Sequence, residues 1–296
     1  MAKELRPKIF ITGSSGYLGY FITKRLSETY TLICQARDRN RIPSCSQPHT
    51  VHTCVDLLDL QALTACMAGV DYVIHLAYDH IPGQYRNGEG DDLVGWYQKN
   101  LNFQLNLLLA SQASSVKGFI YLSSRAVYDT TQPVIDEESP LHPDSHYGAL
   151  KAASELLMDG FPFKHVALRS TGVYGVVKPV ERSKWFSLIQ QLLKEKCLLS
   201  DRISSELHGD DLARLIETLL VIKDWPRFIN VSDIVVSHAM IAKQLELEKG
   251  ITIQIDHQLE QMQGQMKSSY LEKIGFQFSG MTAWTQTIRQ LVMNHE

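Results

Sequence analysis

The chain has 296 residues, 44% of them hydrophobic and 21% charged, with a net charge of −3. That length buries one large core, or one core with a smaller lobe, and the composition is that of an ordinary globular protein. The slightly acidic balance excludes a general attraction to nucleic acid or to an anionic membrane surface. No apolar run is long enough to span a bilayer, and Met1 to Pro7 carry no apolar signal core, so a cytoplasmic protein without membrane partners is expected. Cys34, Cys45, Cys54, Cys66 and Cys197 make no Cys-x-x-Cys pair, which predicts reduced thiols and no metal site.

The first predicted element is a strand at Ile9-Phe10-Ile11, an apolar run that suits burial on both faces. Gly13, Gly16 and Gly19 follow, and then Phe21, Ile22 and Leu26 at helical spacing. Strand, glycine turn and helix bring bare N–H groups and a positive helix end to a pyrophosphate. On that reading Gly13, Ser14, Ser15, Gly16, Tyr17, Leu18 and Gly19 bind a dinucleotide. The spacing Gly-x-x-Gly-x-x-Gly departs from the usual Gly-x-Gly-x-x-Gly, and three such glycines also suit a plain turn.

Thr31 to Ala36 reads as a second strand that ends in Arg37-Asp38-Arg39-Asn40-Arg41. About twenty residues beyond the glycines, an arginine suits the 2′-phosphate of NADP and an acid suits the free 2′-hydroxyl of NAD. Arg37 holds that place, with Arg39 and Arg41 near it, so NADP is expected; Asp38 leaves NAD as the alternative. Val55-Asp56-Leu57 resembles a strand end, where Asp56 and Leu57 would meet the adenine edge, or where Asp56 caps a helix. Tyr72 to Ala77 is the next strand, with His75 packed and Leu76 and Ala77 opening toward the cofactor. Tyr78 to Leu93 is a polar loop long enough to cover a substrate. A helix from Trp96 is expected to bury Leu101, Leu105, Leu108 and Leu109, and Phe119 to Leu122 is a strand running into Ser123-Ser124. Alternating strands and helices predict an α/β fold, a doubly wound parallel sheet covered on both faces.

Tyr147 and Lys151 stand four apart at the start of a predicted helix and so share a face. A phenol is a poor base near neutrality, and a neighbouring ammonium favours its phenolate. With Ser124 holding a substrate oxygen, Tyr147 can then deliver or remove a proton.

The pieces Thr12-Gly-Ser-Ser-Gly-Tyr-Leu-Gly19, His75-Leu-Ala77, Asn100, Ser123-Ser-Arg-Ala-Val-Tyr128, Tyr147-x-x-x-Lys151, Leu168-Arg-Ser-Thr-Gly-Val-Tyr-Gly175, His208-Gly-Asp-Asp211 and Phe228-Ile-Asn230 occur in this order. Along nearly its whole length the chain resembles the extended short-chain dehydrogenases/reductases, the epimerase/dehydratase branch. The resemblance implies a Rossmann-type sheet and the catalytic set Ser124, Tyr147, Lys151 and Asn100. Lys151 would also hold the nicotinamide ribose, and Asn100 would order a water beside it. It further implies a homodimer through the helices that start near Trp96 and Tyr147. Residues 1–177, with about 208–233, would bind the dinucleotide; 178–207 and 234–296 would form a small substrate lobe, with a helix at Val180 to Leu199 that puts Trp185, Leu188, Ile189, Leu192 and Leu193 on an apolar face.

Several departures bear on the substrate. Arg125 stands where dehydratases of the family carry an acid, so dehydration is not expected. Ser204 stands where sugar-nucleotide enzymes carry an arginine for the substrate pyrophosphate, and Glu206 stands near where that anion would lie; Arg182, Lys184 or Arg202 would have to replace the arginine. Asp129 replaces a family glycine. The expected activity is therefore hydride transfer to or from a carbonyl or secondary alcohol of a small substrate. A nucleotide-sugar epimerase or reductase and a non-catalytic NAD(P) sensor are the alternatives.

Overall fold

The computed structural model describes residues 6–38, 49–81, 84, 87–129, 131–255 and 265–293. Arg39, Arg41 and Cys45 lie outside them. The strands are β1 (Lys8–Thr12), β2 (Thr31–Gln35), β3 (Thr50–Thr53), β4 (Tyr72–His75), β5 (Gly118–Ser124), β6 (Val134–Ile135), β7 (Lys164–Ser170), β8 (Gly172–Tyr174), β9 (Cys197–Leu198), β10 (Ile203–His208), β11 (Phe228–Val231), β12 (Ile234–Ser237), β13 (Gln254–Ile255) and β14 (Gln265–Met266). The helices are α1 (Tyr17–Leu26), α2 (Leu60–Cys66), α3 (Leu93–Ala113), α4 (His146–Met158), α5 (Phe186–Glu195), α6 (Gly209–Val221), α7 (His238–Lys249), α8 (Ser269–Lys273) and α9 (Gly280–Met293).

The main sheet is parallel, in the order β11-β7-β5-β4-β1-β2-β3. From β1 the chain winds outward through β2 to β3, then returns to β4 on the other side of β1 and winds the opposite way. The crevice between the C-terminal ends of β1 and β4 is the switch point at which such sheets bind ligands. Alternation along β1 shows why both faces are covered. Ile9 and Ile11 join a cluster with Phe21 and Ile22 of α1 and Leu212 and Ile216 of α6. Phe10 joins the opposite cluster, with Leu63 of α2, Phe103 and Leu107 of α3, and Met158 of α4. This is the Rossmann-type α/β fold. A smaller sheet, β12-β10-β8, lies beside a third apolar cluster that includes Trp185, Ile189, Ile241, Trp284 and Ile288.

Three sequence expectations need correction. On α3, Leu105 and Leu109 are exposed, and the buried face is Trp96, Asn100, Phe103, Gln104, Leu107 and Leu108. Asn100 and Gln104 lie on that face because they bond to neighbouring segments, which hides the face from a hydrophobicity pattern. Trp185 precedes α5 rather than lying in it, in a left-handed conformation at φ 70°. Val55 to Leu57 is not a strand end, since β3 stops at Thr53. No helix among the described residues is long and apolar enough to cross a membrane, and among those residues Cys34, Cys54, Cys66 and Cys197 form no disulfide.

Candidate active site

At the switch point, β1 turns into the glycine loop through Gly13, whose φ of +66° favours glycine. A Cβ at Gly13 would lie 3.0 Å from the Ala77 nitrogen, and one at Gly19 would lie 2.3 Å from the Ser14 carbonyl oxygen. Gly16 caps α1 without a side-chain bond, and the first turn carries no acid, so a positive helix end faces the loop. Ser14 is tied to β2, its N–H and hydroxyl both donating to the Gln35 carbonyl at 3.1 and 2.9 Å. Thr12 Oγ1 accepts from the N–H groups of Leu76 and Ala77, each at 3.1 Å, and lies 2.7 Å from His75 Nδ1. Burial pushes His75 down to about 3, so the ring stays neutral, and the Thr12 hydroxyl donates to Nδ1. The result is a cradle of close-packed backbone that a Cβ would fill, which fits a dinucleotide pyrophosphate.

After β2, Arg37 is exposed and paired with Asp79, whose other oxygen holds Lys99 at 2.9 Å. Asp56 is exposed and its Oδ1 accepts from the Leu58 N–H at 3.0 Å. It does not cap α2; Asp59 does, accepting from Ala62 at 3.0 Å. The Leu57 side chain is buried in the core, and its carbonyl accepts from Asn106.

Ser124 ends β5, and its hydroxyl accepts from the Ala126 N–H at 3.1 Å, which caps the short turn Arg125–Val127. That use as acceptor leaves its proton available to a ligand oxygen. α4 begins against this turn: a Cβ at Gly148 would lie 2.1 Å from the Ala126 carbonyl, so Tyr147 and Ser124 come from segments in direct contact. Lys151 is buried, its Nζ donating to the Leu122 carbonyl at 2.8 Å and lying 4.7, 5.5 and 5.7 Å from the ring centres of Tyr121, Tyr78 and Tyr147. Desolvation pushes it down to about 7, against the pull of Glu155 one turn along. Asn100 is buried too. Its Oδ1 accepts from the Asp79 N–H at 2.8 Å and its Nδ2 donates to the carbonyls of Asp79 and Trp96 at 3.2 and 3.0 Å, which fixes the loop after β4.

Tyr78 in that loop escaped the sequence reading. Its ring stacks on His80 at 4.8 Å and meets Tyr147 edge-on at 5.2 Å. Burial raises its phenol well above the ordinary range. Its place directly after His75-Leu76-Ala77 was the available signal. Glu155 was also missed, although it lies four residues beyond Lys151 on the same helix. It is fully buried, binds Arg169 at 2.7 Å and accepts from Ser123, and Arg169 in turn donates to Tyr128 at 2.5 Å. This network fixes α4 to β5 and β7.

Asp129 closes its loop by accepting from the Thr131 N–H at 2.9 Å. Arg125 is buried, with Nη1 3.4 Å from Ser205 Oγ. Glu206 is buried and paired with Lys184, so its charge is compensated. Arg182 donates to the Ser15 carbonyl at 3.0 Å, and so reaches the glycine loop rather than β10. Arg202 is exposed.

Known proteins agree with this architecture. The N-acetyl-alpha-D-glucosaminyl-diphospho-ditrans,octacis-undecaprenol 4-epimerase of Escherichia coli O157:H7 is 28% identical over 204 residues, covering 66% of this chain and 56% of that relative. The chain thus spans about half the length of that curated relative. The fold matches a UDP-N-acetylglucosamine 4-epimerase from Methanobrevibacter ruminantium M1, solved with UDP-N-acetylmuramic acid, at a TM-score of 0.78 and 21% identity over 98% of both chains. It also matches a UDP-glucuronic acid 4-epimerase from Bacillus cereus, solved with NAD and a fluorinated sugar nucleotide, at a TM-score of 0.78 and 23% identity, covering 96% of this chain and 99% of that one. A family model matches residues 9–253, from the first core residue of β1 to the segment after α7. With that span matched, the chain belongs to the NAD dependent epimerase/dehydratase family.

Proposed function

We propose that this chain is an NAD(P)-dependent oxidoreductase that moves a hydride to or from a carbonyl or secondary alcohol of a small substrate, with Ser124, Tyr147 and Lys151 as its working side chains. The observation that carries the reading is the buried Lys151 Nζ beside the Tyr147 ring, one segment away from Ser124. The nicotinamide, when bound, supplies or takes the hydride. Ser124 donates its hydroxyl proton in a hydrogen bond to the substrate oxygen. Tyr147 exchanges the proton that must accompany the hydride, and Lys151 in its charged form favours the phenolate. Ribose hydroxyls accepting from Lys151 Nζ add partners for the charged form and raise its affinity for a proton. Asn100 positions the loop that carries Tyr78 and Asp79.

The cofactor is NADP, held at its 2′-phosphate by Arg37, with NAD the alternative. A phosphate must displace Asp79 from Arg37, and Asp79 then keeps Lys99, which limits the cost. Residues 1–177 with 208–233 form the dinucleotide part, and 178–207 with 234–296 the substrate lobe. A homodimer forms through α3 and α4, where Leu105, Leu109 and Leu156 are exposed.

A second reading, a nucleotide-sugar epimerase, is favoured by the Lys184–Glu206 pair. The acid that would repel a substrate pyrophosphate is offset, and repulsion is a weaker barrier than the sequence alone suggests. Calorimetry of the cofactor-loaded protein with UDP, dTDP and GDP separates the two. Binding weaker than about millimolar, below roughly 4 kcal/mol, with turnover on simple hydroxy or carbonyl compounds, is the expected result. Micromolar binding of any of the three nucleotides establishes the epimerase reading instead.

A further inference from the structure

Arg182 closes the turn Val180–Arg182, in the segment that leads from β8 to α5. Three bonds fasten this segment to the glycine loop, although it is more than 150 residues away in sequence. Arg182 Nη2 donates to the Ser15 carbonyl at 3.0 Å, the Tyr17 hydroxyl donates to the Gly175 carbonyl at 2.8 Å, and the Lys184 N–H donates to the Tyr17 hydroxyl at 3.3 Å. The segment is also braced on itself, with Ser183 Oγ accepting from the Val177 N–H at 3.0 Å.

This placement is electrostatically unusual. The N-terminus of α1 carries partial positive charge, and its first turn holds no acid. A guanidinium beside it adds positive charge to a positive site, which is unfavourable by itself and favourable once an anion lies between them. Arg182 spends one Nη2 bond on Ser15, and an arginine has further N–H donors in a planar fork that suits phosphate oxygens.

We infer that Arg182 is a diphosphate-binding residue, supplied by the C-terminal half of the chain to the pyrophosphate of the dinucleotide. The inference rests on the dinucleotide reading of the glycine loop. It adds a charged ligand to a site otherwise built of backbone, and it gives the cofactor a grip on the segment whose Lys184 pairs with Glu206 of β10. Cofactor binding would thereby pin the substrate side of the molecule as well.

The test is titration of wild type, Arg182→Ala and Arg182→Lys with NADPH, ADP-ribose and AMP, together with the melting temperature of each ligand-free protein. ADP-ribose keeps the diphosphate, and AMP keeps the adenosine with a single phosphate. Arg182→Ala should weaken NADPH and ADP-ribose roughly ten- to a hundredfold, as expected for a hydrogen bond to a charged group. AMP should change by less than about threefold, the ligand-free melting temperature should hold, and Arg182→Lys should recover part of the loss. Unchanged ADP-ribose affinity overturns the inference. So does an equal loss for all three ligands with a lowered melting temperature, which marks a purely structural latch. If wild type binds neither NADPH nor ADP-ribose, the dinucleotide reading falls, and the inference with it.

Discussion

At the scale of single residues, the site is governed by how burial treats charge. Lys151 is a desolvated amine held near neutrality at about 7, and its described partner is a carbonyl. A cofactor whose ribose hydroxyls accept from Nζ should raise that value. At about pH 8, where the free protein holds Lys151 mostly neutral, NADPH binding should therefore take up a large fraction of a proton. Calorimetry in buffers of different ionisation heat measures this, and Lys151→Met should abolish the uptake. Proton release on binding, or an uptake unchanged in the variant, would place the titrating group elsewhere. Gly19 makes a second residue-level expectation. A Cβ there meets the Ser14 carbonyl at 2.3 Å, so Gly19→Ala must shift the loop and should weaken cofactor binding at least about tenfold, or roughly 1.4 kcal/mol. Near-normal affinity would mean that the loop yields without cost.

At the scale of elements, α4 matters most, because it carries Tyr147 and Lys151 on one face. Its position depends on the buried Glu155–Arg169 pair, whose side chains are 0% and 2% exposed. Removing one partner leaves an uncompensated charge, so Glu155→Ala should cost about 3–5 kcal/mol of stability. Denaturant unfolding reads this directly, and a loss below about 1 kcal/mol would mean that α4 is held by its apolar contacts alone. The helix with Tyr147 and Lys151 was legible from spacing, as were the strands at 9–11, 31–36 and 119–122 and the strand–glycine–helix unit. What stayed hidden were residues whose role depends on partners remote in sequence. Glu155 needs Arg169 and Ser123; Asn100 and Arg182 were named from sequence, but their partners, the backbone of Asp79 and the loop at Ser15, were not legible there. The buried face of α3 was misread for the same reason, since Asn100 and Gln104 occupy positions that a pattern of hydrophobicity assigns to solvent.

At the scale of the molecule, the sheet reverses its winding between β1 and β4, and the loops after β1, β4 and β5 gather at that end. This arrangement brings the glycine loop, Tyr78 and Ser124 to one side of the fold although they are far apart in the chain. Leu105 and Leu109 on α3 and Leu156 on α4 remain exposed on the single chain, so the proposed dimer is testable. Sedimentation should find a dimer, and Leu109→Glu should shift it toward monomer; a wild-type monomer at micromolar concentration would remove the dimer from the account. Tyr147 is the proposed acid/base of the hydride transfer. Its most direct measurement compares wild type with Tyr147→Phe on the best substrate found, recording cofactor affinity and turnover in the same preparations. Cofactor affinity should stay within about threefold while turnover falls by roughly a hundred- to ten-thousandfold, as the loss of a positioned proton donor requires. Turnover within about tenfold of wild type, a barrier change of only about 1.4 kcal/mol, would contradict it.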